Sequence, residues 1–357
     1  MELSSIDLFA GGGGLSEGMK QAGFNIVSAV ENNHYAAQTF KANHENAVIF
    51  ENDIRFVSGK EILKRAGIKK GELDLLAGCP PCQGFSSLTR KYKRDDSRNS
   101  LIGEVARLVE ETMPKAIMIE NVSGLMKRGA PFLKSFLSNI EKLGYKANFD
   151  VLQVADYGVP QDRKRFVLLA GLGFEIKIPK PTHSRDGRDG TLSWVTVRAA
   201  FENLEPPVLL SEANSNGGGR NFNWNVIRNL APINIERLKH LRPGAPRFDI
   251  PEHLRPDCHK GNNKGFSNVY GRMSYESVSP TITGGCTVLS KGRFGHPSEL
   301  RTISVREAAR LQTFPDSFKF ESDSVDHVCQ IIGNALPCKF AKVMSEACRE
   351  AIIKHSF

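Results

Sequence analysis

Two cysteines spaced C-x-x-C stand in Gly78-Cys79-Pro80-Pro81-Cys82-Gln83-Gly84-Phe85-Ser86. That spacing invites a zinc site, a redox couple or a nucleophilic thiolate. Zinc needs a second ligand pair, and the nearest Cys/His combination, Cys258-His259, is adjacent rather than spaced, so no metal is expected. A thioredoxin-like couple opens a helix, whereas Pro80 and Pro81 stiffen this stretch into an extended turn. The remaining candidate is a single thiolate on a rigid loop at a strand end, where the ligand crevices of open α/β sheets lie. A thiolate needs positive charge and an acid-base partner. Glu120-Asn121-Val122 follows an apolar run and would bring a carboxylate to the same sheet edge as Cys82. Gln161-Asp162-Arg163-Lys164-Arg165 adds positive charge just before another such run.

A second constellation begins at Asp7-Leu8-Phe9-Ala10-Gly11-Gly12-Gly13-Gly14-Leu15-Ser16-Glu17-Gly18, which follows a strand pattern and opens a helix pattern. Glycines there let the backbone approach a ligand at the helix N-terminus. Glu31, twenty residues past Gly11, stands where an acid would bond ribose hydroxyls, and Asp53 ends a third strand pattern. Ser16 occupies the last glycine place of a dinucleotide loop, which disfavours a pyrophosphate and leaves room for a nucleoside cofactor without phosphates.

Positioning these residues requires a sheet. Strands are expected at Ser5–Phe9, Ile26–Val30, Ala47–Phe50, Leu73–Ala77, Ala116–Ile119, Lys146–Val154 and Phe166–Ala170. Helices are expected at Leu15–Ala22, Tyr35–Asn43, Leu101–Thr112 and Pro131–Leu143. Strand alternating with helix implies an α/β fold with a doubly wound, mostly parallel sheet. From about Pro179 to Leu300 the texture turns to Gly, Pro, Asn and Arg in poorly periodic segments, which reads as a second, smaller irregular domain. Helical periodicity returns at Val305–Leu311 and from about Val325 to Ile353, so the tail is expected to pack back on the first domain.

The 357 residues suggest about two domains, and the 40% hydrophobic and 24% charged content is that of a globular chain. Nothing approaches the roughly 18 consecutive apolar residues of a membrane span, and the N-terminus lacks a signal pattern. A soluble cytoplasmic protein without a membrane partner is expected. Seven scattered cysteines argue against a secreted disulfide framework. A net charge of +9 favours a polyanionic partner.

In order, DLFAGGGG, Glu31, Asp53, GCPPCQGFS, ENV, QDRKR, the run Arg306 to Pro315 and Gly333-Asn334-Ala335-Leu336-Pro337 resemble the DNA (cytosine-5)-methyltransferase family in its bacterial modification-methylase form. The resemblance runs from about residue 5 to 340, with the family's gaps. It implies S-adenosyl-L-methionine as methyl donor on a methyltransferase-type fold. It also implies a catalytic and cofactor-binding domain at 1–178, a target-recognition domain at 179–300 and a returning C-terminal segment at 301–357.

What the matching residues would do is implied by the resemblance. Carbon 5 of cytosine is a poor nucleophile until a thiolate adds to carbon 6. The resemblance gives that attack to Cys82, while Glu120, kept protonated by burial, would bond ring nitrogen 3. Arg165 would stand near the cytosine carbonyl and Glu120, and Arg163 would brace the site. On the donor side Phe9 would contact adenine, and Gly11, Gly12, Gly13 and Gly14 would admit the methionine portion. Glu31 would hold the ribose and Asp53 the adenine amine. Pro81, Asn334 and Ala335 would complete the pocket. Many family members carry an aromatic residue where this chain has Asn32, so either Ile54 and Phe9 would supply the apolar surface against adenine or cofactor binding would be looser than is usual in the family.

A stacked cytosine is out of reach of such a site, so the base would leave the helix. Phe85 to Ser100, with Arg90, Lys91, Lys93, Arg94 and Arg98, would close over it. From Gly217 to Pro297 there are 12 Lys/Arg against 5 Asp/Glu, which suggests phosphate contacts around base-reading loops. Tyr270-Gly271-Arg272 and Ser279-Pro280-Thr281-Ile282-Thr283 look like the family's junction between recognition domain and catalytic fold. The expected activity is methylation of cytosine within a specific double-stranded DNA sequence. The chain would act as a monomer, with a cognate restriction endonuclease cutting the same site. Alternatives are methylation of tRNA, which the long region 179–300 disfavours, and a binding protein that no longer transfers methyl groups.

Overall fold

Seven apolar runs become the strands of one sheet, β1 (Leu3–Leu8), β2 (Phe24–Val30), β3 (Val48–Phe50), β4 (Leu75–Gly78), β5 (Ala116–Val122), β6 (Tyr145–Gln153) and β7 (Lys164–Leu172). The computed structural model describes residues 2–81, 101–261 and 268–355. Their order across the sheet is β3-β2-β1-β4-β5-β7-β6. The first five pair in parallel, and β7 runs antiparallel to both β5 and β6. Parallel strands need crossover helices. These are α1 (Gly14–Gln21), α2 (His34–Asn43), α3 (Gly59–Ala66), α4 (Leu101–Thr112) and α5 (Ala130–Lys142). The core between them holds Ile6, Leu8, Leu76, Ile117, Ile119, Phe166 and Leu168, all essentially without solvent exposure. The sheet is thus mostly parallel and doubly wound.

Six further helices follow: α6 (Val197–Phe201), α7 (Leu210–Ser215), α8 (Pro232–Lys239), α9 (Val305–Leu311), α10 (Val325–Asn334) and α11 (Cys338–His355). The periodic stretch expected over 325–353 is interrupted at Ala335-Leu336-Pro337, because proline disfavours helical backbone in the residue before it. Helix α3 was not among the expected elements. Its signal is nonetheless present, since Ser58 accepts the amide N–H of Glu61 at 3.2 Å, an S-x-x-E start.

Two compact units emerge. The first comprises residues 1–157, 164–181 and 336–357, and the second residues 158–163 and 182–335. The sequence reading placed the whole of 301–357 with the first domain. Residues 301–335 instead lie in the second unit, and only 336–357 join the first. The physical reason is the packing of α11 alone. Gly18 of α1 faces it so closely that a Cβ would lie 2.4 Å from the Ala341 Cβ and 2.6 Å from the Cys338 carbonyl oxygen.

The second unit has short helices and two-residue strand pairs, and buried arginines tie its irregular backbone together. Arg272 donates to the carbonyls of His296 at 2.7 Å, Leu241 at 2.9 Å and Glu299 at 2.6 Å. Arg306 donates to the carbonyls of Asn223 at 2.8 Å and Phe318 at 3.1 Å. Burial pulls the Arg306 guanidinium down to about 10. Arg301 grips Glu307 through two bonds of 2.8 Å, and Glu307 closes a capping box with Ser304 at the start of α9. Carbonyls that no regular element satisfies are met in this way by guanidinium groups.

Candidate active site

In a parallel sheet all strands end at one edge. Leu8, Val30, Gly78 and Ile119 stand in register there, and the antiparallel β7 starts at the same edge, with Arg165 opposite Val122. Glu120 is opposite Val167, so Glu120 and Arg165 are diagonal neighbours on one face. The Arg165 Nε meets the Glu120 carboxylate at 2.7 Å, with both side chains largely buried. Burial lowers the Arg165 pKa from its ordinary value, while Glu120 and Cys79 oppose that fall. The next residue, Asn121, donates from Nδ2 to the Pro80 carbonyl at 3.0 Å. That bond ties the end of β5 to the segment Cys79-Pro80-Pro81.

Cys79 lies half-buried at the end of β4, with its amide donating to the Leu8 carbonyl at 3.3 Å. Burial, then the negative charges of Glu120 and Asp7, push its thiol well above the ordinary range. It is therefore a poor nucleophile. Cys82 and the segment Phe85–Ser100, with its five basic residues, lie outside the described residues.

The glycine run forms a tight entry into α1. Gly11 and Gly13 adopt left-handed backbone at φ 55° and 98°, and Phe9 does so at 60°. Such angles favour glycine over any side chain. At Gly13 a Cβ would sit 2.9 Å from the His44 Nε2, a second reason for glycine there. Glu31 accepts the Gly11 amide at 2.8 Å and the Asn33 amide at 2.7 Å, which locks the run to the end of β2. Its pKa rises through burial, against those amide bonds. Asn32 is exposed, Phe9 is half-buried and Ile54 is buried in the core. Asp53 is held in a two-pronged pair with Arg55, whose Nε lies 3.0 Å and Nη2 2.5 Å from the carboxylate oxygens. Pro81 is half-buried, three residues past the end of β4.

Arg163, Asn334 and Ala335 belong to the second unit. Arg163 donates to the carbonyls of Ile282 at 3.2 Å and Gly333 at 3.4 Å, so it braces backbone. Two glutamines missed by the sequence reading extend this bracing. Gln161 donates to the Gln312 side chain at 2.8 Å and accepts the Ile282 amide at 3.0 Å. Gln312 donates to the carbonyls of Ile332 at 2.6 Å and Ala335 at 3.0 Å. Buried amides with every bond made hold four motifs distant in sequence as one cluster.

Asp7 was likewise missed. It is fully buried on β1, accepts the Ser16 hydroxyl at 2.7 Å through Oδ2, and leaves Oδ1 without a hydrogen-bond partner among the described residues. Burial raises its pKa to about 7, with Glu31 adding to the rise and the Ser16 bond opposing it. Among the described residues no group of His, Cys, Asp and Glu could hold a metal ion.

A family model of the C-5 cytosine-specific DNA methylases matches residues 3–350. The chain belongs to that family. It is a DNA cytosine-5 methyltransferase of the bacterial modification type. It is 36% identical to the Type II methylase M.HgiDII of Herpetosiphon aurantiacus, over 96% of this chain and 94% of that one. It is 31% identical to the Type II methyltransferase M.AgeI of Thalassovita gelatinovora, over 98% of this chain and all of the other. Its fold resembles that of the S. pombe Dnmt2 methyltransferase, with a TM-score of 0.63 at 19% identity, covering both chains completely. Within this methylase fold, among the described residues, no helix is long and apolar enough to cross a membrane.

Proposed function

We propose that this methylase transfers the methyl group of S-adenosyl-L-methionine to carbon 5 of cytosine in a specific double-stranded DNA sequence, through a transient Cys82 adduct on a flipped base. The Glu120–Arg165 pair carries the reading. It lies at the carboxyl edge of the sheet, and the residue after Glu120, Asn121, bonds Pro80, two places before Cys82 in the sequence. Cys82 would add to carbon 6, forming the S–C bond while ring nitrogen 3 is hydrogen-bonded by Glu120. Arg165 would fix the Glu120 carboxyl group in that orientation. Carbon 5 then gains enamine character and is alkylated. Loss of its proton to water and departure of the Cys82 sulfur would restore the aromatic ring.

The donor-side residues suit a nucleoside with an amino-acid tail. Gly11 is left-handed with no atom within 4 Å of where a Cβ would stand, Glu31 keeps lone pairs beyond its two amide bonds, and residues 7–18 contain no Lys or Arg to meet a pyrophosphate. When bound, the cofactor supplies an electrophilic methyl on a sulfonium. Gly11 to Gly14 would cradle its methionine portion, Glu31 its ribose, and Phe9, Asp53 and Ile54 its adenine, with Asn32, Pro81, Asn334 and Ala335 bordering it. Arg163 would act indirectly, by bracing the segment that carries Asn334. We further propose a monomer that protects DNA from a cognate restriction endonuclease, by analogy with the Type II names of its relatives.

The test uses duplex DNA carrying 5-fluorocytosine at the target, identified beforehand by bisulfite sequencing. Fluorine cannot leave as a proton, so a stable protein–DNA adduct should accumulate, with mass spectrometry placing it on Cys82. The Cys82→Ser variant should bind DNA but form no adduct, since a hydroxyl is a far weaker nucleophile than a thiolate. Turnover retained by that variant would reject the covalent scheme.

A further inference from the structure

The segment after β3 carries an exposed ring that the proposed chemistry does not use. The ends of β2 and β3 are joined at the carboxyl edge of the sheet, where the Glu31 amide donates to the Phe50 carbonyl at 3.0 Å. From that edge the chain continues as Glu51-Asn52-Asp53-Ile54-Arg55-Phe56. At 76% exposure, Phe56 is the most exposed large apolar side chain among the described residues. Its backbone is firmly held. The Phe56 amide donates to the Asp53 carbonyl at 2.9 Å, which closes a 3₁₀ turn over Ile54–Phe56. Arg107 of α4 donates from Nη2 to the carbonyls of Ile54 and Val57, each at 3.0 Å, while Glu104 and Glu111 hold its other nitrogens at 2.8 Å.

Residues three apart in a 3₁₀ turn stand on one side of it, so the Phe56 ring rises on the side of Asp53. The Asp53 carboxylate is fixed in turn by the amide and the guanidinium of Arg55, and its two oxygens keep acceptor capacity beyond those three bonds. Single apolar residues on a surface are ordinary. This one stands on a clamped turn, beside a fixed acceptor, at the sheet edge that carries Glu31. A carboxylate next to an exposed aromatic face is complementary to a flat heteroaromatic ring that bears an exocyclic amine: the amine donates to the carboxylate and the faces stack. The neighbouring candidates offer less. Asn32 is exposed but polar, Ile54 is buried in the core and Phe9 is half-buried.

We propose that Phe56 stacks on the adenine ring of the methyl donor and supplies the aromatic face that Asn32 does not. This role rests on the proposed donor site. It assigns the recognition of adenine to the 53–56 turn as a unit, with Asp53 meeting the amine, Phe56 covering a ring face and Arg107 holding both in place from α4.

Isothermal titration of the full-length protein with S-adenosyl-L-homocysteine, which carries the same adenine but no transferable methyl, tests this without turnover. Phe56→Ala should weaken binding by roughly 10- to 100-fold, the range of a base stacked on an aromatic side chain. Phe56→Trp should bind within severalfold of the parent. Its new indole should also change emission when the ligand is added, beyond any change in the parent, whose tryptophans are Trp194 and Trp224. A ring so exposed adds little to the core, so both variants should melt as the parent does. Phe56→Ala binding as tightly as the parent would overturn the stacking role and leave the donor site standing, and so would an indole whose emission ignores the bound ligand. A parent that binds no S-adenosyl-L-homocysteine would overturn the donor site and this role together.

Discussion

Glu120 and Arg165 meet because two antiparallel strands place residues of one face diagonally across from each other. A planar guanidinium holds a carboxylate in a way that lysine does not. Replacing Glu120 by Gln keeps the shape but removes acid-base capacity, and positioned acids and bases are worth roughly 10²- to 10⁴-fold in rate. Glu120→Gln should therefore lower single-turnover methyl transfer by about 10²-fold or more with little change in DNA affinity. A rate within severalfold of the parent would mean that another group activates the ring. Asp7 supports a separate expectation about stability. Folded, it keeps its proton up to about pH 7, against an ordinary 3.8. The folded state therefore binds more protons between those values, so the Asp7 contribution is fully present below 3.8 and is lost as pH rises through about 7. Asp7→Asn cannot ionise and still offers Ser16 an acceptor. It should be more stable than the parent near pH 8, by about 4 kcal/mol at most, with the difference closing toward about pH 4. Urea unfolding of both proteins at each pH measures this. Comparison at equal pH cancels His44 and His296, both of which burial pulls down to about 4 and whose contributions run the other way. A pH-independent difference would show that Asp7 ionises normally. Glu120 and Arg165 were legible in sequence because each abuts an apolar run. Asp7, Gln161 and Gln312 were not, because their partners are set by tertiary packing; Gln161 and Gln312 stand 151 residues apart.

At the scale of elements, the site depends on close approaches that only glycine permits. Gly18 lets α1 seat on α11, and Gly333 lets α10 seat on the Thr283–Gly284 backbone. The obstructing atoms at Gly333 are backbone, so no side-chain rotation relieves an added methyl. Gly333→Ala should destabilise the protein by roughly 1–3 kcal/mol, as overpacking does, despite the better helix propensity of alanine. Thermal unfolding monitored by circular dichroism checks the sign. An unchanged or raised midpoint would show that α10 can shift away from the turn. The strands were legible because buried parallel strands are continuous apolar runs, and their centres fall where expected. Ends moved by up to three residues, set by pairing rather than by composition. Helix α3 was not legible although Ser58 and Glu61 mark its start, since Ile62 and Leu63 are the only large apolar side chains that it buries. The boundary at 335/336 was invisible because α10 and α11 are both amphipathic, and the partner each packs on is a tertiary fact.

Across the whole molecule, formal charge overstates what is available to a polyanion. Of the 12 basic residues between Gly217 and Pro297, the exposed ones among the described residues are Arg220, Lys239, Arg242, Lys260 and Lys291. Arg237, Arg255, Arg272 and Arg293 donate to backbone carbonyls, and Arg247 is buried. Counterion release counts only charges that reach phosphates, about 0.9 per contact in the slope of log affinity against log salt. Two classes of arginine should therefore respond differently to substitution. Replacing Arg242 and Lys291 together by alanine should reduce the salt slope of DNA binding by at most about 2 and leave the unfolding midpoint near that of the parent. Arg272→Ala leaves buried carbonyls without donors, at roughly 1–3 kcal/mol for each such group, so it should lower the midpoint strongly while the folded fraction keeps its slope. Fluorescence-anisotropy titrations across a salt series, paired with thermal melts, separate the two. If Arg272→Ala melted like the parent and lost the slope instead, the buried guanidinium would be a phosphate contact after all, and the second unit would owe its order to something other than its arginines.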